Sequence, residues 1–161
     1  MKVLVIYDSV FGNTEKIAQT IGTAFARDND VQILPVSEVE AAYEQGLALL
    51  VAGSPTRSFR PTEAVANFLK AMPKNLLVNI RVAAFDTRLA LDTIDSSALR
   101  FIVDKGGYAA KTIAKELEKK GGYLHTHPEG FFVTGEQGPL KDGELERAAK
   151  WGEKLSHIIR R

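Results

Sequence analysis

Short apolar runs alternate along the chain with segments whose apolar residues recur at helical spacing. Lys2 to Tyr7 and Leu47 to Ala52 are continuous runs rich in Val, Ile and Leu, which is typical of strands buried on both faces of a parallel sheet. Weaker strand patterns occupy three further places: Val31 to Val36, Arg81 to Phe85, and a last strand, Tyr123 to His125 with Phe131 to Val133, that the turn HPEG interrupts. The pattern therefore predicts five strands.

Amphipathic segments between these strands predict helices. Three segments each place a set of apolar residues on one face: Ile17, Ile21, Ala24 and Phe25; Val65, Phe68, Leu69 and Met72; Ala110, Ile113, Ala114 and Leu117. A fourth helix is predicted to follow Asp142 as its N-cap and to bury Leu145, Ala148, Leu155 and Ile159. Ser37 to Gln45 is predicted as only a weak helix.

This alternation predicts the fold class and the place of a binding site. Strand–helix–strand units are right-handed crossovers, so the sequence indicates an α/β chain with a doubly wound parallel sheet and helices on both faces. The 161 residues are enough for one core, and we predict a single domain over residues 1–161. Ligands bind such sheets beyond the carboxyl ends of the strands, which selects three loops: Ser9 to Thr14, Ser54 to Pro61, and Asp86 to about Ser97.

Composition and charge narrow the classes of function. The chain is 45% hydrophobic and 25% charged, with a formal net charge of +1, which is ordinary for a globular protein and gives no support to nucleic-acid binding. No apolar stretch approaches the ~18 residues that span a bilayer, so we expect no membrane partner and a cytoplasmic location. The absence of cysteine excludes disulfides and thiolate sites, and redox chemistry would therefore need a cofactor.

The first loop has the groups that an anion needs. Ser9, Asn13 and Thr14 offer side-chain hydrogen bonds, Gly12 allows a close approach, and the helix that follows has free N–H groups at its start. The chain contains neither GxxxxGK[ST] nor GxGxxG, so a monophosphate fits better than a nucleoside triphosphate or a dinucleotide. The alternative is that these residues only turn the chain and cap a helix.

The first loop also resembles the phosphate-binding loop of the flavodoxin family. Five residues fall in register with that loop: Ser9, Gly12, Asn13, Thr14 and Ala18. Ordinary flavodoxins usually have Thr at the position of Phe11, and the aromatic residue is more similar to the flavodoxin-like domains of flavodiiron proteins. The resemblance implies the strand order 2-1-3-4-5 and a bound FMN, whose phosphate would face the backbone N–H groups of Val10 and Phe11.

The second loop, GSPTRSF, resembles the flavodoxin segment that contacts the isoalloxazine ring. The resemblance makes six residues cofactor-binding candidates: Ser54, Pro55, Thr56, Arg57, Ser58 and Phe59. A flavin needs an apolar or aromatic wall, and Phe59 is the only aromatic residue in this loop. The alternative for Phe59 is a core position beneath the loop.

The third loop occupies the same position as the third loop of flavodoxins but has little sequence similarity to it. It lacks the Gly-rich segment and the stacking Tyr of typical flavodoxins, and no aromatic residue lies between Asp86 and Arg100. Asp86, Thr87 and Arg88 are candidates because we expect them just past the end of the fourth strand. The alternative is a solvated loop with a helix cap.

Three further features are interpreted as structural. His125 and His127 are expected to be partly exposed strand residues, because two histidines without a nearby acidic cluster rarely hold a metal. Asp92 and Asp95 are interpreted as solvated loop residues rather than an acid–base pair. Trp151 is expected to pack against the sheet.

The resemblance implies an FMN-binding electron carrier that serves redox partner proteins and needs no catalytic side chain. Unlike the acidic flavodoxins, this near-neutral chain places Arg57, Arg60 and Arg88 in the candidate loops, where they would favour reduction of the flavin. One alternative is an FMN-dependent NAD(P)H:quinone reductase, because SPTR also resembles that family's second loop. Another is a flavodoxin-fold protein that has lost its flavin.

Overall fold

A computed structural model of the chain describes residues 1–40, 46–90, 97 and 107–161. The strands are β1 (Lys2–Tyr7), β2 (Asp30–Pro35), β3 (Leu47–Pro55), β4 (Arg81–Leu89), β5 (Tyr123–Leu124) and β6 (Glu129–Val133). The α-helices among these residues are α1 (Asn13–Phe25), α2 (Glu63–Ala71), α3 (Ala109–Lys119) and α4 (Glu144–Ile159). A 3-10 turn covers Val36–Glu38.

All strand pairs are parallel, and the sheet has the order β2-β1-β3-β4-β5. The last position is shared by two strands: β5 pairs with Arg81 and Val82 at the start of β4, whereas β6 pairs with Phe85 to Leu89 at its end. The predicted order 2-1-3-4-5 and the interrupted last strand are therefore confirmed.

The helices cover both faces of the sheet, as predicted. On one face, α1 and α4 bury Ile17, Ile21, Phe25, Ala148 and Leu155 against β1, β3 and β4. On the other face, α2 and α3 bury Val65, Leu69, Ile113, Ala114 and Leu117. Burial on both sides explains why β1 and β3 consist of continuous apolar runs.

An aromatic cluster fills the core beneath the end of β4. The rings of Phe85, Phe131 and Trp151 meet edge to face with centroids 6.1–6.3 Å apart, which confirms that Trp151 packs against the sheet. The neighbouring β3 residue is Gly53, where a Cβ atom would lie 2.1 Å from the Phe85 ring. The glycine therefore makes room for the cluster.

Several sequence predictions were wrong about the ends of elements. β3 and β4 continue to Pro55 and Leu89, so Ser54, Asp86, Thr87 and Arg88 belong to strands and not to loops. The N-cap of α4 is Gly143, with φ of 87°, and not Asp142. Leu145 is 42% exposed, because the neighbouring Glu144 occupies the buried, sheet-facing position.

Other predictions fall partly or wholly outside the described residues. Within Ser37 to Gln45, the turn ends at Glu38 and residues 41–45 lie outside the described ranges, as do Asp92 and Asp95. His125 and His127 are exposed as expected but follow β5 instead of lying in a strand. In the described parts of the chain, no helix has the length and apolar character needed to cross a membrane.

Candidate functional site

A cavity of about 360 Å³ lies at the carboxyl edge of the sheet, where the first two candidate loops and the end of β4 meet. Eleven predicted site residues line it: Val10, Phe11, Asn13, Thr14, Pro55, Thr56, Arg57, Ser58, Phe59, Thr87 and Arg88. The remaining four, Ser9, Gly12, Ser54 and Asp86, do not line it. The structure thus brings the three predicted segments to one place.

The first loop leads directly into the N-terminus of α1. Gly12 has φ of 90° and precedes α1, a conformation that glycine adopts without strain. The Ser9 hydroxyl accepts hydrogen bonds from the N–H groups of Gly12 (3.1 Å) and Glu15 (3.3 Å), so Ser9 shapes the loop. Helix geometry gives the N–H groups of Asn13 and Thr14 no acceptor inside the helix, and the macrodipole makes this end attractive to an anion.

Two side chains of α1 join this loop to neighbouring segments. The hydroxyls of Thr14 and Thr87 share a buried hydrogen bond of 2.8 Å. The Asn13 amide donates to the carbonyl of Gln137, 3.1 Å away. Because both side chains already have partners, backbone N–H groups are the main donors available to an anion. Val10 and Phe11 are 50% and 44% exposed and also line the cavity.

The second loop reverses direction in a strained turn. Arg57 and Arg60 exchange two backbone hydrogen bonds of 2.8 and 3.0 Å, and the residues between them, Ser58 and Phe59, have φ of 48° and 69°. Positive φ at two non-glycine residues costs free energy and is often found at functional sites. The half-buried Phe59 lines the cavity, so it is not a core residue beneath the loop.

Ser54 and Thr56 support the second loop from β3. The buried Ser54 hydroxyl accepts from the Thr62 N–H and donates to the Pro55 carbonyl, each at 2.9 Å. Thr56 links the second loop to β4 and α3. Its N–H donates to the Thr87 carbonyl, and its hydroxyl accepts from the Ala109 N–H, each at 2.9 Å. Ser54 therefore holds the turn in place and does not face the cavity.

A buried ion pair forms the base of the third segment. The Asp86 side chain is fully buried and accepts two hydrogen bonds from Arg88, at 2.6 and 2.8 Å. It also accepts from the Ala110 N–H at 2.9 Å, which satisfies a free donor at the start of α3. Burial raises the pKa of Asp86, and Arg88 and the Ala110 N–H oppose that rise. Asp86 is therefore a helix cap and the partner of Arg88.

The two arginines of the cavity differ in their surroundings. The Arg88 guanidinium lies 3.7 Å from the centroid of the Tyr108 ring and is held there by Asp86. The Arg57 guanidinium lies 5.5 Å from the centroid of Phe11 and 3.9 Å from the Glu136 carboxylate, and its side chain is 42% exposed. Arg88 is thus an oriented, compensated cation, and Arg57 is a weakly paired cation at the entrance.

Among the described residues that line the cavity, four were not predicted from the sequence: Leu89, Tyr108, Val133 and Glu136. Tyr108 supplies the aromatic ring that the third loop lacked between Asp86 and Arg100, and it lies at the N-cap of α3. The segment after β6, TGEQGP, is rich in turn residues and follows a strand end. That signal marks it as a fourth loop at the same edge.

Comparison with known proteins supports the fold. No protein-family model and no curated protein sequence matches the chain. Solved structures do match: an archaeal flavodoxin is 19% identical with a TM-score of 0.75, and the coverage is 100% of both chains. Oxidised flavodoxin 1 from Bacillus cereus is 20% identical with a TM-score of 0.75, over 98% of this chain and 99% of that one. The fold is flavodoxin-like.

The flavodoxin-like fold also occurs within a larger neighbour. The flavodiiron protein from Giardia intestinalis is 17% identical with a TM-score of 0.70, and the match covers 99% of this chain and 36% of that one. At these identities the likeness concerns the fold alone. The cavity lies where doubly wound sheets bind their ligands, beyond the carboxyl ends of the strands.

Proposed function

We propose that the protein binds FMN non-covalently and carries electrons between redox partner proteins. The observation that supports this most is one cavity with both features of an FMN site: aromatic and apolar walls, and an open helix N-terminus beside them. A cavity of about 360 Å³ is within the size range of small-molecule sites. The residues present therefore fit the group.

Each part of the cavity has a role in this proposal. The N–H groups at the start of α1 would hold the phosphate. They belong to the first loop, which resembles the phosphate-binding loop of flavodoxins. Phe11, Phe59 and Tyr108 would enclose the ring system, because aromatic rings stack favourably on flat ligands. When bound, FMN supplies one- and two-electron chemistry, and the protein supplies binding, orientation and charge. No catalytic side chain is required.

The visible absorption spectrum of the purified protein, before and after addition of FMN, tests the proposal. We expect flavin bands that stay with the protein on gel filtration. Asn13→Ala with Thr14→Ala should weaken FMN affinity by about tenfold or more, because the loop would lose its links to Thr87 and Gln137. Thr23→Ala is a matched control, since this hydroxyl on α1 donates only to the Gln19 carbonyl.

Two results would contradict the proposal. A colourless protein whose spectrum does not change with FMN would favour a flavodoxin-fold protein that has lost its flavin. Unchanged FMN affinity in the double variant, with the fold intact, would contradict a role for these two side chains in shaping the phosphate site.

An enzyme assay separates the carrier from the reductase. We expect the FMN-loaded protein to show no steady turnover of NAD(P)H with a quinone acceptor. Sustained turnover would favour the NAD(P)H:quinone reductase, in which Arg57 at the entrance would receive an anionic nicotinamide cofactor. The flavodiiron likeness of the first loop and the cytoplasmic location remain predictions.

A further inference from the structure

A second cavity lies at the opposite end of the sheet. Its volume is about 630 Å³, and it opens where β4 begins, beside the segment after β5 and the second half of α4. It is lined by Arg81, His125, Lys150, Glu153, Lys154, His157, Ile158 and Arg161. Because β4 has nine residues that rise ~3.3 Å each, the two cavities lie roughly 25 Å apart.

Basic side chains converge on this second cavity from separate elements. Arg81 comes from the start of β4, and Lys150 and Lys154 lie one turn apart on α4. Together with Arg161 they are four cationic side chains, and Glu153 is the only acidic side chain among the described residues that line the cavity. Within the part of the chain that the structure describes, no ion pair joins any of these four cations to an acidic group.

The helix macrodipole explains only part of this charge. Cations near the end of a helix are stabilised by its negative pole, which applies to His157 and Arg161. Lys150 lies in the middle of α4, and Arg81 belongs to the sheet. Like charges four residues apart on a helix, as in Lys150 and Lys154, repel each other. An anion in the cavity would offset this repulsion.

We propose that this second cavity binds a small molecule that carries two or more phosphate groups. Lysine and arginine are the usual phosphate partners, as a point charge and as a two-pronged donor. The volume is far larger than a single phosphate needs and is typical of small-molecule sites. The exposed His125, whose ring meets Tyr123 at 5.3 Å between centroids, adds a donor, and Ile158, which packs on the core, adds an apolar wall.

Inorganic tripolyphosphate is the probe for this site. Its binding to the full chain would be measured by titration calorimetry and by changes in backbone amide NMR shifts. The test variant is Lys150→Ala with Lys154→Ala. The control is Lys111→Ala with Lys115→Ala, a second exposed pair four residues apart, on α3 at the other face of the sheet.

The expected result is saturable binding with shifts centred on Arg81 and the second half of α4. The test variant should bind about tenfold more weakly, and the control should stay within about twofold of wild type. Arg81→Gln changes a different element and should also weaken binding, so the result does not depend on how α4 tolerates substitution.

Three outcomes would overturn the proposal. The first is that wild type shows no saturable binding. The second is an equal loss in both lysine pairs, which would indicate diffuse attraction to any basic surface. The third is a set of shifts confined to residues 9–14, which would place the anion in the first cavity. The proposal does not rest on flavin binding, and the experiment uses the protein with or without FMN.

Discussion

The two arginines of the first cavity show how local pairing decides the effect of a charge. Asp86 neutralises Arg88 through two short hydrogen bonds, whereas Arg57 faces Glu136 across 3.9 Å at the surface. Arg60 is exposed and does not line the cavity. The sequence analysis gave these three arginines the same role, and in the structure Arg57 is the less closely paired of the two that line the cavity.

We expect Arg57→Ala to lower the second reduction potential of the FMN-loaded protein. Arg57 would compensate the negative charge added on reduction, and an exposed charge pair contributes about 0.5–1 kcal/mol, or roughly 20–40 mV for one electron. A redox titration measures this shift, with Arg60→Ala as the control that should leave the potential nearly unchanged. An unchanged potential in Arg57→Ala, with flavin still bound, would contradict the assignment.

A second prediction at this scale concerns the buried pair. Asp86→Asn should lower the free energy of unfolding by about 3 kcal/mol, because it removes the fully buried carboxylate that pairs with the largely buried Arg88 side chain. Urea unfolding measures the loss. Adding Arg88→Leu should restore part of it, since the uncompensated charge is then gone.

The surface pair Lys119–Glu116 provides the comparison for Asp86. Its atoms are also 2.6 Å apart, but the lysine is 67% exposed. Glu116→Gln should therefore change stability by only about 0.5 kcal/mol or less. Equal effects of Asp86→Asn and Glu116→Gln would show that burial does not strengthen the Asp86–Arg88 pair.

At the scale of the elements, hydrogen bonds to the carboxylate of Glu144 link α4 to β6. This carboxylate accepts from the Phe132 N–H at 2.7 Å and from Arg147 at 2.6 and 3.0 Å. Arg147 in turn bonds to Glu129 at 2.8 Å and to the Gly130 carbonyl. The first turn of α4 thus satisfies polar groups of β6, which explains why a glutamate is buried there.

This contact predicts a pH dependence of stability. Burial alone would raise the pKa of Glu144, but hydrogen bonds from Arg147 and the Phe132 N–H hold that pKa below its ordinary value of 4.5. The stabilisation is therefore complete above about pH 4.5 and is lost as the pH falls through the lowered pKa. Glu144→Gln should cost about 1–3 kcal/mol at pH 7.

Urea unfolding of wild type and Glu144→Gln between pH 7 and pH 3 checks this prediction. The difference between the two proteins should shrink as the pH falls below 4.5. Glu146→Gln, a change at an exposed position of the same turn, should show little difference at any pH. A constant difference for Glu144→Gln across the range would mean that its ionisation does not contribute.

The same elements show what hydrophobic patterning can predict. The apolar runs located β1, β3 and the start of β4, because burial on both faces requires them. The polar ends Ser54 and Asp86 were assigned to loops, although the ladder pairs them with each other inside β3 and β4. Backbone hydrogen bonds within a sheet continue beyond the last apolar residue of a strand. The hydrophobic pattern of the sequence therefore does not show where the strand ends. Tyr108 was missed because only the fold brings it beside Arg88.

At the scale of the whole molecule, a formal net charge of +1 conceals an uneven distribution. Basic residues that are far apart in the sequence, such as Arg81 and Lys154, meet at one end of the sheet. The other end combines an open helix N-terminus with a largely apolar cavity. The summed charge therefore gave no sign of either cavity, since each arises from the way the strands and helices are arranged.

Ligand-linked stability connects the first cavity to the fold as a whole. A ligand that binds only the folded chain raises the free energy of unfolding, by about 2.7 kcal/mol at a concentration 100 times its dissociation constant. FMN should do so, and riboflavin at the same concentration should raise it by about 1.3 kcal/mol less, because it has no phosphate for the N–H groups of α1 and is expected to bind about tenfold more weakly. Urea unfolding at fixed ligand concentration measures both.

The comparison of the two flavins tests the first loop apart from the rest of the cavity. Equal stabilisation by FMN and riboflavin would mean that the ring binds while the loop from Ser9 to Thr14 only connects β1 to α1. A difference that disappears in Asn13→Ala with Thr14→Ala would assign the phosphate to this loop, since the ring-facing walls at Phe59 and Tyr108 are unchanged in that variant. The exposed Val10 and Phe11 would then be compatible with a phosphate site, because the backbone beneath them donates the hydrogen bonds.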